Sequence, residues 1–379
     1  MADWRYLAYR LNGDGTETLL DPDLPLQDVT ITRVVSGPAG FSAKIQPALA
    51  RLVGPDGQPI IQRQSTAIYV CADEKIVHGT IVTDMTRDGA ALGITGTGFS
   101  AYPKGEPYDG DRFFVQTDPL DIFRHVWTWL QSRPRRNVGM VLGTTKVGRL
   151  IGTVLTQVQF DTQAGPVSFE AGPVKLNWWE TEDLGGFLDD LATSQNFDYV
   201  ESHRWDSDDQ QAVEHHLDFG VPRIGRRRED LRFVVGENVT AQPSESFVGS
   251  SYASEVLVRG AGEGRTMIRG LATRTGETRL GRMAVVEDKS IKSVTAANKR
   301  AQVELARRQG KPEISDIVVR ELPGYPGLGS WIEGDDIELV TDGEWGSSSD
   351  WYRVLSTTFS PGDLSVASLA VARADMIPA

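Results

Sequence analysis

Two stretches of this chain carry the same plan. Ser65–Phe99 reads "STAIYVCADEKIVHGTIVTDMTRDGAALGITGTGF", and Ser330–Ala372 reads "SWIEGDDIELVTDGEWGSSSDWYRVLSTTFSPGDLSVASLAVA". Each is a short strand, a turn, a strand ending in an apolar pair, a second polar turn and a third alternating strand. Ile68, Val70 and "VHGTIV" align with Ile337, Leu339 and "YRVLST", and "RDGAALGITG" aligns with "SPGDLSVASL". Alternation with a period of two places apolar side chains on one face of a strand. Short strands at this spacing curl into a small barrel or a packed sandwich. The repeat therefore predicts two similar β units, one near each end of the chain.

The rest of the sequence fits a mainly β protein with an α+β insertion, two similar small β-barrel domains split by an inserted domain. At 379 residues the chain is long enough for two or three domains of ~100–200 residues. Its 39 glycines and 19 prolines cluster in turns, as short strands with tight connections require. Residues 1–105 read as the first barrel, with "DVTITRVV" alternating and a Pro-Asp-Gly turn inside "LVGPDGQPII". Residues 106–230 read as the inserted domain, with helices near 119–133 and 181–193. Asp118 is a natural cap before Pro119 for the first, and Thr181 a candidate cap for the second. Residues 231–379 read as the second barrel, interrupted by a helix near 294–309 that Ser293 or Thr295 caps and Gly310 and Pro312 end.

Charge and composition remove several function classes. A net charge of -13 opposes a phosphate-gripping nucleic-acid binder, which needs a basic face. The single cysteine, Cys71, excludes an intrachain disulfide framework and a cysteine-built zinc site, and its place within "AIYVC" is that of a packing residue. The N-terminus has no signal-peptide pattern and no window is apolar enough to span a bilayer, so a soluble protein made in a cytoplasm is expected.

Candidate chemistry thins out on inspection. Asp189–Asp190 lies in a stretch, Trp178 to Phe219, that holds twelve acidic residues against one arginine, and reads as a solvated face more readily than as a glycosidase pair. His215 and His216, beside Glu214 and Asp218, would point to opposite sides of a strand, which spoils a shared metal site. "DSDDQ" at 206–210 lacks the glycine and glutamate of a calcium loop. "GTTKVG" at 143–148 is not a phosphate loop, and no nucleophile elbow occurs. Arg226, Arg227 and Arg228 are expected to balance the preceding acidic stretch. Trp178, Trp179 and Trp205 would serve as sugar-stacking platforms only if exposed, and are expected in the core. No catalytic, cofactor-binding or metal-ligating residue is assigned, no cofactor is expected, and no enzymatic activity is predicted.

The doubled meander resembles the baseplate hub, or tail-tip (minor tail), proteins of long-tailed, non-contractile bacteriophages. "FSAKIQP", "AIYVCADEKIVHGTIV" and "GITGTGFSAYP" look like that family's opening barrel. "DFGVPRIGRRREDLRFVVGENV" resembles its lead into the second barrel, and "AANKRAQVELARRQGKPEISDIVVRELPGYPGLGSWIEGDDIEL" its late helix, strand and final meander. Residue usage resembles that of actinobacterial phages. The resemblance implies a homotrimer forming a pseudo-six-fold ring, joining the hexameric tail tube or distal tail ring to a three-fold tip and lining the DNA exit channel. Implied partners are the distal tail ring or tail tube protein, the tape measure protein and other tail-tip or receptor-binding proteins. Genomic DNA would pass without specific binding, and no stable membrane insertion is implied. The location would be the virion tail tip, assembled in the host cytoplasm. The chain ends soon after its last strand, so no added hydrolase or receptor-binding extension is expected. Alternatives are a distal tail ring protein and a carbohydrate-binding or glycoside-active β protein. Three further expectations follow: residues about 28–100 and 240–372 superpose, the ring lumen is neutral to negative, and the insert has a small core of its own that makes it removable.

Overall fold

The computed structural model describes residues 3–376, apart from 47, 49–51, 90, 163–164, 208–211, 247–251, 263, 277, 290, 312, 328 and 344–345. The first β unit contains β1 (Trp4–Leu11), β2 (Glu17–Asp21), β3 (Gln27–Val34), β4 (Gly40–Ile45), β5 (Thr66–Ala72), β6 (Lys75–Asp88) and β7 (Ala91–Thr97). The middle region contains β8 (Asp111–Phe114), α1 (Pro119–Gln131), β9 (Met140–Leu142), β10 (Thr156–Thr162), β11 (Gly165–Ala171), β12 (Val174–Asn177), α2 (Leu184–Gln195), β13 (Asp198–Trp205) and β14 (Val213–Gly220). The last part contains β15 (Arg227–Val234), β16 (Glu245–Ser246), β17 (Glu255–Arg259), β18 (Arg269–Thr273), β19 (Met283–Glu287), α3 (Val294–Arg307), β20 (Glu313–Ile314), β21 (Asp316–Arg320), β22 (Asp336–Gly343), β23 (Gly346–Ser360) and β24 (Asp363–Arg373).

The two β units share one 12-stranded sheet, whose path runs β15-β22-β23-β3-β4-β7-β6-β5-β1-β2, with β24 joining β23 to β21. The seam is β3 against β23, antiparallel, with Ile31 opposite Phe359 and Val34 opposite Ser356. This corrects the expectation of two barrels. The sheet path is open, with β15 and β2 at its ends, because β3 takes its second neighbour from the other unit and so continues the sheet.

Within the sheet the repeat is explicit. β4, β7, β6 and β5 are neighbours in that order, all antiparallel, and so are β21, β24, β23 and β22. The four aligned side chains, Ile68, Val70, Ile337 and Leu339, are all buried in one hydrophobic core that draws on both units. Each buried aliphatic side chain of this kind contributes about 1.5–3 kcal/mol, so the seam is held by a common core as well as by ladder hydrogen bonds.

β5 explains how the middle region attaches. Its sequence "TAIYVCA" is apolar on both faces, and all of its residues but the last are buried. Ile68 and Val70 face the shared core, while Ala67, Tyr69 and Cys71 belong to a second core with α1, α2, β13 and β14. A strand apolar on both faces needs cover on both. The separate core expected for the insert is therefore one it shares with the outer face of β1 and β5, because neither side can bury its apolar surface alone.

α1 forms as the sequence suggests: Asp118 accepts from the Leu120 amide at 2.9 Å, Pro119 occupies the first turn, and Ile122, Phe123, Val126, Trp127 and Leu130 are buried. α2 starts later than expected, at Leu184, with Asp183 in the cap position. The Thr181 hydroxyl accepts instead from the Asn177 amide at 3.4 Å. α3 packs with β17, β18 and β19 around a third core containing Val256, Val258, Ile268, Ala297 and Ala301. This α+β module lies between β16 and β20 and subdivides the segment 231–379 that the sequence presents as one barrel.

Candidate functional site

A buried polar constellation lies where the middle region meets the first unit. Tyr69 Oη donates to Glu17 Oε1 at 2.6 Å, His215 Nε2 lies 3.1 Å from the same oxygen, and His203 Nδ1 lies 2.9 Å from His215 Nδ1. If His215 donates to the carboxylate through Nε2, its Nδ1 is bare and accepts a hydrogen bond from His203 Nδ1–H. Burial holds the His203 imidazole well below its ordinary range, reinforced by the neighbouring His215. Burial likewise lowers His78 to about 3, with Arg33 adding to the effect.

Glu201 completes this cluster. Burial raises its carboxyl to about 7, while hydrogen bonding from Ser100 works in the opposite direction. Its Oε2 accepts from the Ser100 amide at 2.6 Å, and its Oε1 finds no partner among the described residues. Two glycines make room for the packing. A Cβ on Gly98 would lie 1.9 Å from Glu201 Oε1, and one on Gly79 would lie 2.8 Å from the His203 ring. A cleft of about 370 Å³ opens beside this region, lined by His78, Glu201, His203, Trp331 and Glu333 among others. The arrangement is a buried polar joint. Phe99 stacks on His215 with ring centroids 4.3 Å apart, Tyr69 lies beside both rings, and His215 is buried.

Of this cluster the sequence reading had named only His215, as a metal candidate with His216. The strand does send the two apart: His215 is buried against Glu17, and His216 Nε2 lies 3.0 Å from Glu214 Oε2. Among the described residues no group of acidic, histidine or cysteine side chains has metal-binding geometry. Glu17, Tyr69, His78, Glu201 and His203 were missed because they come from β2, β5, β6 and β13, and no local spacing links them. The one available signal was the doubly apolar β5, which implied a partner on its second face.

The remaining candidates also find their places. Cys71 is buried and its thiol is pushed up to about 11 by burial, so it packs as an inert residue. Asp189 Oδ1 accepts from the Tyr199 hydroxyl at 2.7 Å. Within "DSDDQ", positions 208–210 lie outside the described residues. The arginine run does not balance the acidic stretch before it. Arg228 pairs with Asp335 at 3.2 Å and Asp230 at 2.7 Å, and Arg227 lies 3.7 Å over the Trp351 ring. Arg223 pairs with Asp336 at 2.9 Å. β15 runs parallel to β22, which carries these cations to the second unit. One residue of the acidic stretch does reach across: Asp198 pairs with Arg353 of β23.

The tryptophans also depart from expectation. Trp178 is 63% and Trp179 50% exposed, because both follow the end of β12 where the chain turns outward. Their rings meet edge to face at 85°, so they do not form one flat platform. Trp205 is partly buried, its Nε1 donating to the Glu74 carbonyl at 2.6 Å.

No family model matches this sequence, and no curated protein matches it. Solved structures do. A 43 kDa tail protein of prophage MuSo2 from Shewanella oneidensis is similar with a TM-score of 0.60 at 15% identity, over 99% of this chain and 100% of that one. A tail protein from Neisseria meningitidis MC58 gives 0.54 at 14%, over 98% of both chains. Prophage tail protein gp18 from Listeria monocytogenes EGD-e gives 0.53 at 10%, over 97% and 94%. The likeness covers the whole architecture, and at these identities it is one of fold: this chain has the fold of phage tail proteins.

Proposed function

We propose that this protein is a non-enzymatic hub subunit of a long-tailed phage's tail tip. Three copies form a ring of six similar β units, which joins the six-fold tail tube or distal tail ring to a three-fold tip. The observation that carries this reading is the duplication itself. One chain holds two β units of the same strand order, joined edge to edge through β3 and β23. Three such chains present six similar units to a six-fold partner while keeping three-fold symmetry for everything below it. The distal tail ring protein, the tape measure protein and other tip proteins are the partners this reading assigns.

The ring's lumen passes DNA without holding it, since an acidic chain gives phosphates no counterion-releasing contacts. The placement of Arg223, Arg227 and Arg228 on Asp336, Trp351 and Asp335 favours this, because those cations are already engaged. Mass measurement in solution with electron microscopy of the purified protein tests the proposal. Three-fold rings are expected, alone or on added tail tube protein, and a strict monomer under both conditions overturns it.

A second reading attaches to one surface only. The exposed Trp178 and Trp179 offer an aromatic face to a carbohydrate. Glycan-array binding that disappears in Trp178→Ala with Trp179→Ala is its expected signature, and an unchanged or absent glycan signal removes it.

A further inference from the structure

The two units share a four-strand order, and one edge of each is filled differently. In the second unit, β23 runs beyond the end of β22, and its stretch Ser356–Phe359 takes β3 as neighbour. The Val35 amide donates to the Leu355 carbonyl at 3.0 Å, and the Thr32 and Thr358 hydroxyls lie 2.9 Å apart. In the first unit β6 overruns β5 in the same way. Pairing with β5 ends at Ala67 opposite Ile81, the Gln64 amide donates to Val82 O at 2.7 Å, and β6 continues to Asp88 paired with β7 on its other side. Among the described residues no strand pairs with the outer edge of Thr83–Arg87, and Asp84, Met85, Thr86 and Arg87 are exposed.

The second unit also has its own version of β3, equally without a partner on its outer side. It is the segment 240–246, beyond Val239, whose other side bridges Val235, and the absence of an outer partner holds among the described residues. Val239 bridges Val319 of β21, the Thr240 amide donates to Val318 O at 2.9 Å, and β16 pairs with β20. β3 lies on β4 in this same manner. Thr240, Ala241, Gln242 and Ser244 are exposed.

Each unit thus has one edge that accepts a strand and one strand that can be donated. The chain joins one such pair internally and is left with the other acceptor and the other donor. An unprotected strand edge is a template for strand addition. Two different leftover surfaces make a head-to-tail contact, which propagates from copy to copy until it closes. We propose that segment 240–246 of one copy adds antiparallel to Thr83–Arg87 of the next, repeating between chains the contact that β3 makes with β23 within one. This deepens the ring reading above and rests on it.

The β5–β6 and β22–β23 registers make Met85 the counterpart of Thr357, and segment 240–246 lies on β20 and β21 as β3 lies on β4, so transposing the β3–β23 register brings Met85 opposite Ser246 and Arg87 opposite Ser244. The test is disulfide trapping in the full chain, with Met85→Cys combined with Ser246→Cys or Arg87→Cys combined with Ser244→Cys, all four being exposed residues. Cys71 is buried and does not compete. Mild oxidation is expected to give covalent species of two and three chains from at least one pair, and only monomer from each single variant. The pair Met85→Cys with Leu280→Cys, both exposed residues, is expected not to trap. A second variant, Met85→Lys, keeps the wild-type circular dichroism and is expected to lower the ring population about tenfold. Three-fold rings without trapping and with Met85→Lys unimpaired overturn the edge assignment and leave the hub reading standing. Trapping in the Leu280 control to the same extent also overturns the assignment. A chain that stays monomeric with and without tube protein, and does not trap, overturns both.

Discussion

The first and second β units differ less in their cores than in what is attached to them. Both run the same antiparallel order, β4-β7-β6-β5 and β21-β24-β23-β22. Yet β3 reaches β4 through a short turn, residues 35–39, while the corresponding link from segment 240–246 to β20 and β21 contains the module of β17–β19 and α3. Beyond β5 lies antiparallel β1, whereas beyond β22 lies parallel β15. The outer face of the first unit is covered by the middle region, which shares a core with it. The module in the second unit keeps a core of its own. Additions at loops leave a strand order intact, but an addition that shares a core becomes part of the unit it covers.

The largest test of this contrast is a pair of deletions. Removing residues 135–225 with a flexible bridge exposes Tyr69, Phe99 and the apolar face of α1, and circular dichroism is expected to show the first unit unfolded. Removing residues 254–308 strips only the third core and is expected to leave the β signal and a cooperative melt. A folded product from the first deletion, or an unfolded one from the second, reverses the assignment.

A narrower comparison uses one apolar residue from each of the two strand edges. Phe359 lies opposite Ala367 and is 6% exposed, while Met85 lies opposite Ile94 and is 37% exposed. Phe359→Ala is expected to cost about 3–5 kcal/mol in denaturant unfolding, and Met85→Ala below about 1 kcal/mol at concentrations where the chain is monomeric. Equal costs would mean that the two edges are not in different states.

Acidity distinguishes the joint from the seam. His78 and His203 are lowered by burial, so their contribution is present above the ordinary histidine range near 6.5 and is lost as pH falls below it. Glu201 is raised to about 7, so its contribution is present below the ordinary glutamate range and is lost as pH rises toward 7. Two histidines oppose one carboxyl between about pH 4.5 and 6.5, and the net expectation is a melting temperature that falls with acidification. Glu201→Gln removes the opposing component and is expected to steepen that fall while raising the melting temperature at pH 7.5. A flat profile from pH 5 to 7.5 in both proteins contradicts the burial of this cluster. A small effect belongs to the module: the Ser293 hydroxyl accepts from the Ala296 amide at 3.2 Å, and Ser293→Ala should cost about 1 kcal/mol, read as a lower melting temperature with an unchanged β signal.

Much of the architecture was legible in the sequence because its signals are local. Period-two alternation marked β22 to β24 and their counterparts, and Asp118-Pro119 marked the start of α1 within one residue. Short turn residues marked the hairpins. Local signals also misled. The acid-to-arginine change near residue 223 suggested a charge balance inside one domain, whereas Arg228 pairs with Asp335 across the sheet. The tryptophans sat beside an apolar helix in sequence and project outward in space.

By itself, then, the sequence determined that this chain contains two similar β meanders separated by helical regions, since each strand's alternation and each helix's cap are written within a few neighbouring residues. Only the tertiary structure decided how these parts join. The seam places Thr32 against Thr358, residues 326 positions apart, and the buried joint links Glu17 to His215 across 198. Pairing at such separations is selected by which edges and apolar faces remain unfilled once the local elements have formed, and that is a property of the assembled surfaces, with no period or motif to announce it.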